Sequence, residues 1–152
     1  MPEPKKPKLI PPYIAIMCLI LEFVFLKFFP QFKIINAPVT YFGIFLIGIG
    51  ATLTLSAIAM FRKNNTPVVP GTKPTFVVMK GPYTFTRNPM YLGLTFILIG
   101  AGVWIGNALS IACFAIFVVY INSTFIPREE KMMENLFGQK YLGYKSKVRR
   151  WL

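Results

Sequence analysis

Residues 90–126 read MYLGLTFILIGAGVWIGNALSIACFAIFVVYINSTFI, a run with no charged side chain. About 20 apolar residues cross the roughly 30 Å hydrocarbon core of a bilayer, so this stretch is too long for one span and suits two. Gly106-Asn107 falls near its middle, and both residue types favour turns over helix interiors. The run therefore predicts a tight hairpin of two membrane helices, 90–105 and 108–126. Working outward toward the N-terminus, residues 12–29 and 39–61 form two further apolar stretches of spanning length. Hydrophobic residues make up 55% of the 152 positions and the mean hydropathy is +0.55. The expected fold is an all-α membrane protein, one domain over 1–152, with four transmembrane helices.

Charge placement predicts the orientation. Lys5, Lys6 and Lys8 precede the first span; Arg62, Lys63, Lys73, Lys80 and Arg87 fill the second connection; seven more cations lie between Arg128 and Arg150. Only Lys27 and Lys33 fall on the other side. By the positive-inside rule both termini and the proline-rich 62–89 loop are cytoplasmic, in the cytoplasmic membrane if the cell is prokaryotic. The net charge of +12 then reports topology and attraction to anionic membrane lipids. No nucleic-acid motif accompanies it, so nucleic acid is not an expected partner. The basic start resembles the front of a signal peptide, but no small-residue cleavage site follows Phe29, and a retained first helix is expected.

Absences narrow the chemistry. The chain has neither His nor Asp, which removes imidazole bases, His metal ligands and serine triads, and no metal site is expected. Cys18 and Cys113 lie within spans without metal spacing and read as small buried hydrophobes. The five carboxylates are Glu3, Glu22, Glu129, Glu130 and Glu134. Glu22 lies near the centre of the first span, where a charge is costly, so a neutral, structural or contact role is expected for it.

Chemistry is expected at GPYTFTRNPMYLG, residues 81–93, where the proline-rich loop turns into the third span. Asn88 is suited to N-capping and Pro89 to the first helical position. The free N–H groups of that helix start attract anions, with Arg87 beside them. After the fourth span, Met132, Met133, Leu136 and Phe137 share one face of a segment with charges opposite, which predicts an amphipathic, interfacial helix ended by Gly138. Tyr141, Tyr144 and Trp151 interleave with cations in a tail expected at headgroup level.

Gly81-Pro82-Tyr83, Arg87-Asn88-Pro89-Met90-Tyr91-Leu92-Gly93, Glu129-Glu130, Phe137-Gly138, Tyr141, Tyr144 and Val148-Arg149-Arg150-Trp151 together resemble the isoprenylcysteine carboxyl methyltransferase and phospholipid methyltransferase superfamily. The resemblance covers about the C-terminal two-thirds of the chain. It implies an integral membrane enzyme with S-adenosyl-L-methionine as methyl donor, bound on the cytoplasmic side. Tyr83, Arg87, Asn88, Tyr91 and Gly93 would line one wall of the cofactor pocket, with Glu129 and Glu130 opposite. Many isoprenylcysteine methyltransferases carry His where this chain has Asn88.

The residue chemistry is compatible. S-adenosylmethionine needs an anion site for its carboxylate, an acceptor for hydroxyls or ammonium, and aromatic faces for adenine and sulfonium. Arg87 with the start of the third span, Glu129 or Glu130, and Tyr83 with Tyr91 supply these. Arg87 and Glu130 are the expected catalytic pair. Duller readings stand beside each assignment: Arg87 as a snorkelling cation, Asn88 as a cap alone, Tyr91 as an aromatic-belt residue, Gly93 and Gly100-Ala101-Gly102 as helix-packing positions. The expected reaction is methyl transfer to a lipid-like or isoprenoid-bearing acceptor entering from the bilayer. Carboxyl O-methylation is favoured because a carboxylate needs no base; phospholipid N-methylation and thiol S-methylation are alternatives. A nicotinamide-dependent membrane reductase and a non-enzymatic membrane protein are the competing classes.

Overall fold

A computed structural model describes residues 10–152. The expectations for Lys5, Lys6, Lys8 and Glu3 lie outside the described residues. Five helices follow one another: α1, Pro11–Phe28; α2, Tyr41–Lys63; α3, Pro89–Ile105; α4, Ala108–Phe137; and the short α5, Gln139–Lys145. Single 3-10 turns at Pro30–Phe32 and Gly81–Thr84 complete the regular elements among the described residues.

Helices α1, α2 and α4 are long and apolar enough to cross a membrane. Only 11% of the apolar window of α2 is buried within the protein, so Phe42, Phe45, Ile49 and Leu55 present bare hydrocarbon outward. Such a face requires lipid around it. At 17 residues α3 is shorter, about 26 Å at 1.5 Å per residue and at the lower limit for a span. It stands in the middle of the bundle, packed most extensively on α2 and also on α4 and α1. Four expected spans thus become three long apolar helices around one shorter apolar helix.

Glycines set the α2–α3 contact. A Cβ on Gly50 would lie 2.5 Å from the Gly93 carbonyl oxygen, and one on Gly100 would lie 2.6 Å from the Gly43 oxygen. Gly102, on another side of α3, meets Ile111 of α4 in the same way. Lipid is as apolar as leucine, so burial alone does not bring helices together in a bilayer; close backbone approach and its dispersion contacts do. Gly93 and the Gly100-Ala101-Gly102 run are therefore packing positions.

The hairpin turn is built as its sequence predicts. Gly106 takes φ +78° and closes α3, and the Asn107 side chain caps α4 by accepting from the N–H groups of Leu109 and Ser110. Asn107 Nδ2 also donates to the Phe29 carbonyl at 2.8 Å, while Ile34 and Ile35 donate to the Gly106 oxygen. The α1–α2 connection and the α3–α4 turn therefore share one end of the bundle. The 64–88 loop and the C-terminal segment meet at the other.

The fourth span and the amphipathic segment are not separate helices. They form one continuous 30-residue helix, about 45 Å long and well beyond the hydrocarbon thickness. Its last turns, with Arg128, Glu129, Glu130 and Lys131, project past the span. Pro127 would ordinarily break such a helix. A π turn at Ile121–Phe125 precedes it, with the Ile126 N–H donating to Ile121 five residues back, and this wider turn absorbs the distortion. Gly138, at φ +49°, ends the helix as expected.

The apolar face of that projecting segment turns inward rather than onto the membrane surface. Met133 and Phe137 pack against a cluster of Ala57, Val77, Val78, Tyr83, Tyr141 and Tyr144, while Leu136 stays exposed. Tyr141 and Tyr144 are core residues here, not headgroup anchors. Apart from Ala57 of α2, the buried members of this cluster come from the loop and the C-terminal segment beyond the spans, where water exclusion contributes about 1.5–3 kcal/mol for each large side chain fully buried.

Glycine substitution separates the two ways α2 meets its surroundings. Gly50→Leu should lower the melting temperature in detergent, with overpacking costing on the order of 1–3 kcal/mol or more. Gly48→Leu, on the same helix with nothing within 4 Å of its added Cβ, should leave it nearly unchanged.

Candidate active site

The loop before α3 and the segment after the span of α4 converge on one hollow. Its empty volume is ≈ 860 Å³ including the part open to solvent. Pro67–Thr72, Phe76 and Val78 form its outer wall, Tyr83 and Arg87 to Tyr91 a second, and Glu129, Glu130, Met132, Met133, Tyr141 and Tyr144 a third.

Each of the two neighbouring glutamates bridges to the second wall. The Tyr91 hydroxyl donates to Glu129 Oε1 at 2.9 Å, and Arg87 Nη2 pairs with Glu130 Oε1 at 3.1 Å. The neighbouring carboxylates nevertheless differ sharply in surroundings. Glu130 is buried, and it also takes both prongs of Arg150, Nε on Oε1 at 3.1 Å and Nη2 on Oε2 at 2.9 Å, with Lys145 at 3.4 Å. Burial pushes its carboxyl up, but the Arg150 hydrogen bonds and the charges of Arg87, Arg150 and Lys145 outweigh it and hold the group below the ordinary carboxylate range. Glu129 has no cation paired with it among the described residues. Burial pushes it up to about 7, opposed only by the Tyr91 hydrogen bond.

Arg87 is the second uneven member. Its side chain is about 10% exposed and one nitrogen is paired with Glu130, yet Nε and Nη1 are buried without a hydrogen-bond partner. Leaving charged donors so placed is costly, and an anion brought into the hollow relieves that cost. Asn88 lines the hollow but does not cap α3; its Nδ2 donates to the Arg150 carbonyl at 2.9 Å, and its own N–H is taken by Thr86 Oγ1. The first turn of α3 therefore has no side-chain cap. Tyr83 lies under the hollow, packed on Phe61 at 5.4 Å between ring centroids, and its carbonyl accepts the Tyr144 hydroxyl at 2.7 Å. Burial first, and then the nearby Tyr144 and Glu129, raise its phenol far above its ordinary value, so it is an aromatic surface and not an acid or base.

Of the expected residues, Tyr83, Arg87, Asn88, Tyr91, Glu129 and Glu130 meet in this hollow. Gly93 does not. It faces Thr54 and Gly50 of α2, because two residues beyond Tyr91 lie about 200° around a helix. Glu22 is fully buried between α1 and α4, far along the chain's other half, and Ser110 Oγ donates to its backbone carbonyl at 2.8 Å. Arg150, Lys145, Tyr141 and Tyr144 were not singled out as site residues. The i, i+3 spacing of the two tyrosines placed them on one face, but nothing local tells which way that face turns.

Residues 39–140 match the model of the family described as phospholipid methyltransferase. The chain belongs to that family. It is 28% identical over 138 residues to protein-S-isoprenylcysteine O-methyltransferase B of Arabidopsis thaliana, covering 89% of this chain and 70% of that enzyme. The Saccharomyces cerevisiae enzyme of the same name is 29% identical over 135 residues, covering 86% of this chain and 56% of the enzyme. An uncharacterized protein of Haemophilus influenzae is 48% identical over 63 residues, 41% of this chain and the whole of that one. The solved structure of the eukaryotic intramembrane Ras methyltransferase ICMT superposes with a TM-score of 0.69 at 27% identity, over 90% of this chain and 49% of that one. The chain thus spans about half of the solved enzyme. It is an integral membrane protein of the methyltransferase class, and the reductase and non-enzymatic alternatives fall away.

Methyltransferases of this family use S-adenosylmethionine. The residues present fit that molecule: two unpaired buried donors on Arg87 for a carboxylate, an uncompensated acceptor at Glu129 for an ammonium or hydroxyls, and aromatic faces on Tyr83, Tyr91 and Tyr141.

The Glu129 environment has a measurable sign. Its folded carboxyl holds a proton up to about pH 7 while the unfolded chain releases it in the ordinary carboxylate range. Native protein therefore binds more protons between those limits, and stability falls as pH rises through them. Across about pH 5 to 8 the melting temperature should fall relative to Glu129→Gln by a few degrees; parallel curves for the two proteins would refute this placement.

Proposed function

We propose that the hollow is an S-adenosylmethionine site and that the chain methylates an amphipathic, isoprenoid-bearing or lipid-like acceptor at the membrane surface, on a carboxylate. The observation that carries the reading is Arg87, whose buried Nε and Nη1 have no partner while Glu129, across the same space, has no cation paired with it among the described residues. Two unpartnered donors on one arginine and a carboxylate with no cation paired to it among the described residues match the two ends of an amino-acid zwitterion.

When bound, S-adenosylmethionine supplies an activated methyl group on a sulfonium. The chain's own part is binding and orientation. Arg87 and the uncapped start of α3 would hold its carboxylate, Glu129 would accept from its ammonium or ribose hydroxyls, and Tyr83, Tyr91 and Tyr141 would offer aromatic surface to its apolar and cationic parts. Pro67–Thr72 with Phe76 cover the outer side and limit water. Glu130, already holding three cations, keeps Arg87 in place and has little capacity left for a ligand. A carboxylate acceptor is ionised at neutral pH and needs no base, which suits a chain without His. The acceptor's tail enters laterally, and the positive-inside rule puts the hollow on the cytoplasmic face.

A second reading rests on Glu129. Its carboxyl, pushed up to about 7, is suited to take a proton from an amine, which would serve phospholipid N-methylation. Labelled S-adenosylmethionine offered with either a farnesylated cysteine or phosphatidylethanolamine in vesicles separates the two.

Calorimetric titration of the detergent-purified protein with S-adenosylhomocysteine tests the site itself. The intact chain should bind saturably, and Arg87→Ala should weaken binding by about ten-fold or more, the loss expected for a charge-assisted pair. No heat from a folded, intact chain would overturn the proposal.

A further inference from the structure

The C-terminal strap, residues 146–152, runs back beside Arg87. The Arg149 carbonyl accepts the Arg87 N–H at 3.0 Å, and the Arg150 carbonyl accepts Thr86 Oγ1 at 3.2 Å and Asn88 Nδ2 at 2.9 Å. The residues on both sides of Arg87 are thereby tied to one strap. The strap is in turn tied to the π turn of α4, where Asn122 Oδ1 accepts from Arg150 Nη1 at 3.1 Å and from Trp151 Nε1 at 3.4 Å.

The side-chain arrangement has a further consequence. A carboxylate offers about four lone-pair sites. Glu130 has four cationic contacts: Arg87 Nη2 and Arg150 Nε on Oε1, Arg150 Nη2 and Lys145 Nζ on Oε2. Its accepting capacity is filled, so Arg87 receives one contact and keeps Nε and Nη1 free. Arginine and carboxylate ordinarily close into a two-pronged pair. Here Arg150 occupies that two-pronged place.

We propose that Arg150 is a positioning residue for the ligand site: its fork on Glu130 prevents Glu130 from taking both prongs of Arg87, and so leaves Arg87 free to grip the carboxylate at the amino-acid end of the cofactor. The inference rests on the reading of the hollow as a cofactor site. It assigns Arg150 no contact with the ligand. Because the strap's ties to Thr86, Arg87 and Asn88 run through backbone carbonyls, replacing the Arg150 side chain leaves them in place.

Two ligands separate positioning from general support. S-adenosylhomocysteine carries the amino-acid end, and 5′-methylthioadenosine is the same nucleoside thioether without it. In calorimetric titrations, Arg150→Gln should weaken S-adenosylhomocysteine by about ten-fold and leave methylthioadenosine within about two-fold. Arg150→Lys, which keeps a cation on Glu130 without the fork, should lose less than Arg150→Gln. Melting curves confirm that each variant is folded. Equal weakening of both ligands, or no change in either, would overturn the proposal while leaving the cofactor reading intact. Failure of the unaltered protein to bind S-adenosylhomocysteine would remove the cofactor reading, and this inference with it.

Discussion

Glu130 holds together the loop before α3, the end of α4 and the C-terminal segment. Arg87 comes from the loop before α3, Lys145 from α5, Arg150 from the C-terminal strap, and the carboxylate itself from the projecting end of α4. Each cation alone would gain little at a wet surface. Together, on a carboxylate with a side chain only 7% exposed, they form a network in which removal of the centre leaves several like charges facing one another.

Two kinds of cohesion meet at that point. Inside the bilayer part, helices approach through Gly43, Gly50, Gly93, Gly100 and Gly102, where backbone contact replaces the hydrophobic effect that lipid cannot supply. Outside it, Val77, Val78, Tyr83, Tyr141 and Tyr144 exclude water in the ordinary way. Helix α4 belongs to both regions, and its π turn before Pro127 lets one rigid rod carry Glu129 and Glu130 from the membrane to the polar site. The site's geometry therefore depends on the bundle below it.

Much of this was legible in the chain. Apolar run length and the Gly106-Asn107 break determine the hairpin, because turn chemistry and bilayer thickness are local constraints. The scarcity of carboxylates drew notice to Glu129 and Glu130. What could not be read was direction. The separate roles of the two glutamates follow from a tail that folds back over fifteen to twenty residues. The Asn88 side chain caps nothing; its Nδ2 donates to the Arg150 carbonyl, which turns the amide toward the C-terminal strap. The continuity of α4 through Pro127 hid behind a rule that holds for ordinary helices and is relaxed by a π turn. Family resemblance supplied what periodicity could not, namely that residues from 83–91 and the pair Glu129-Glu130 face one another; Gly93, Tyr141 and Tyr144 lay beyond its reach.

That convergence is the central claim, and photolabelling tests it most directly. An azido-adenosyl analogue of S-adenosylmethionine, irradiated with the membrane-embedded protein and mapped by peptide mass spectrometry, should label peptides from both sides of the hollow, 67–91 and 129–144, and excess S-adenosylhomocysteine should suppress both together. Labelling confined to one of these segments, or found along α1 or the 29–36 connection and insensitive to competitor, would contradict the account.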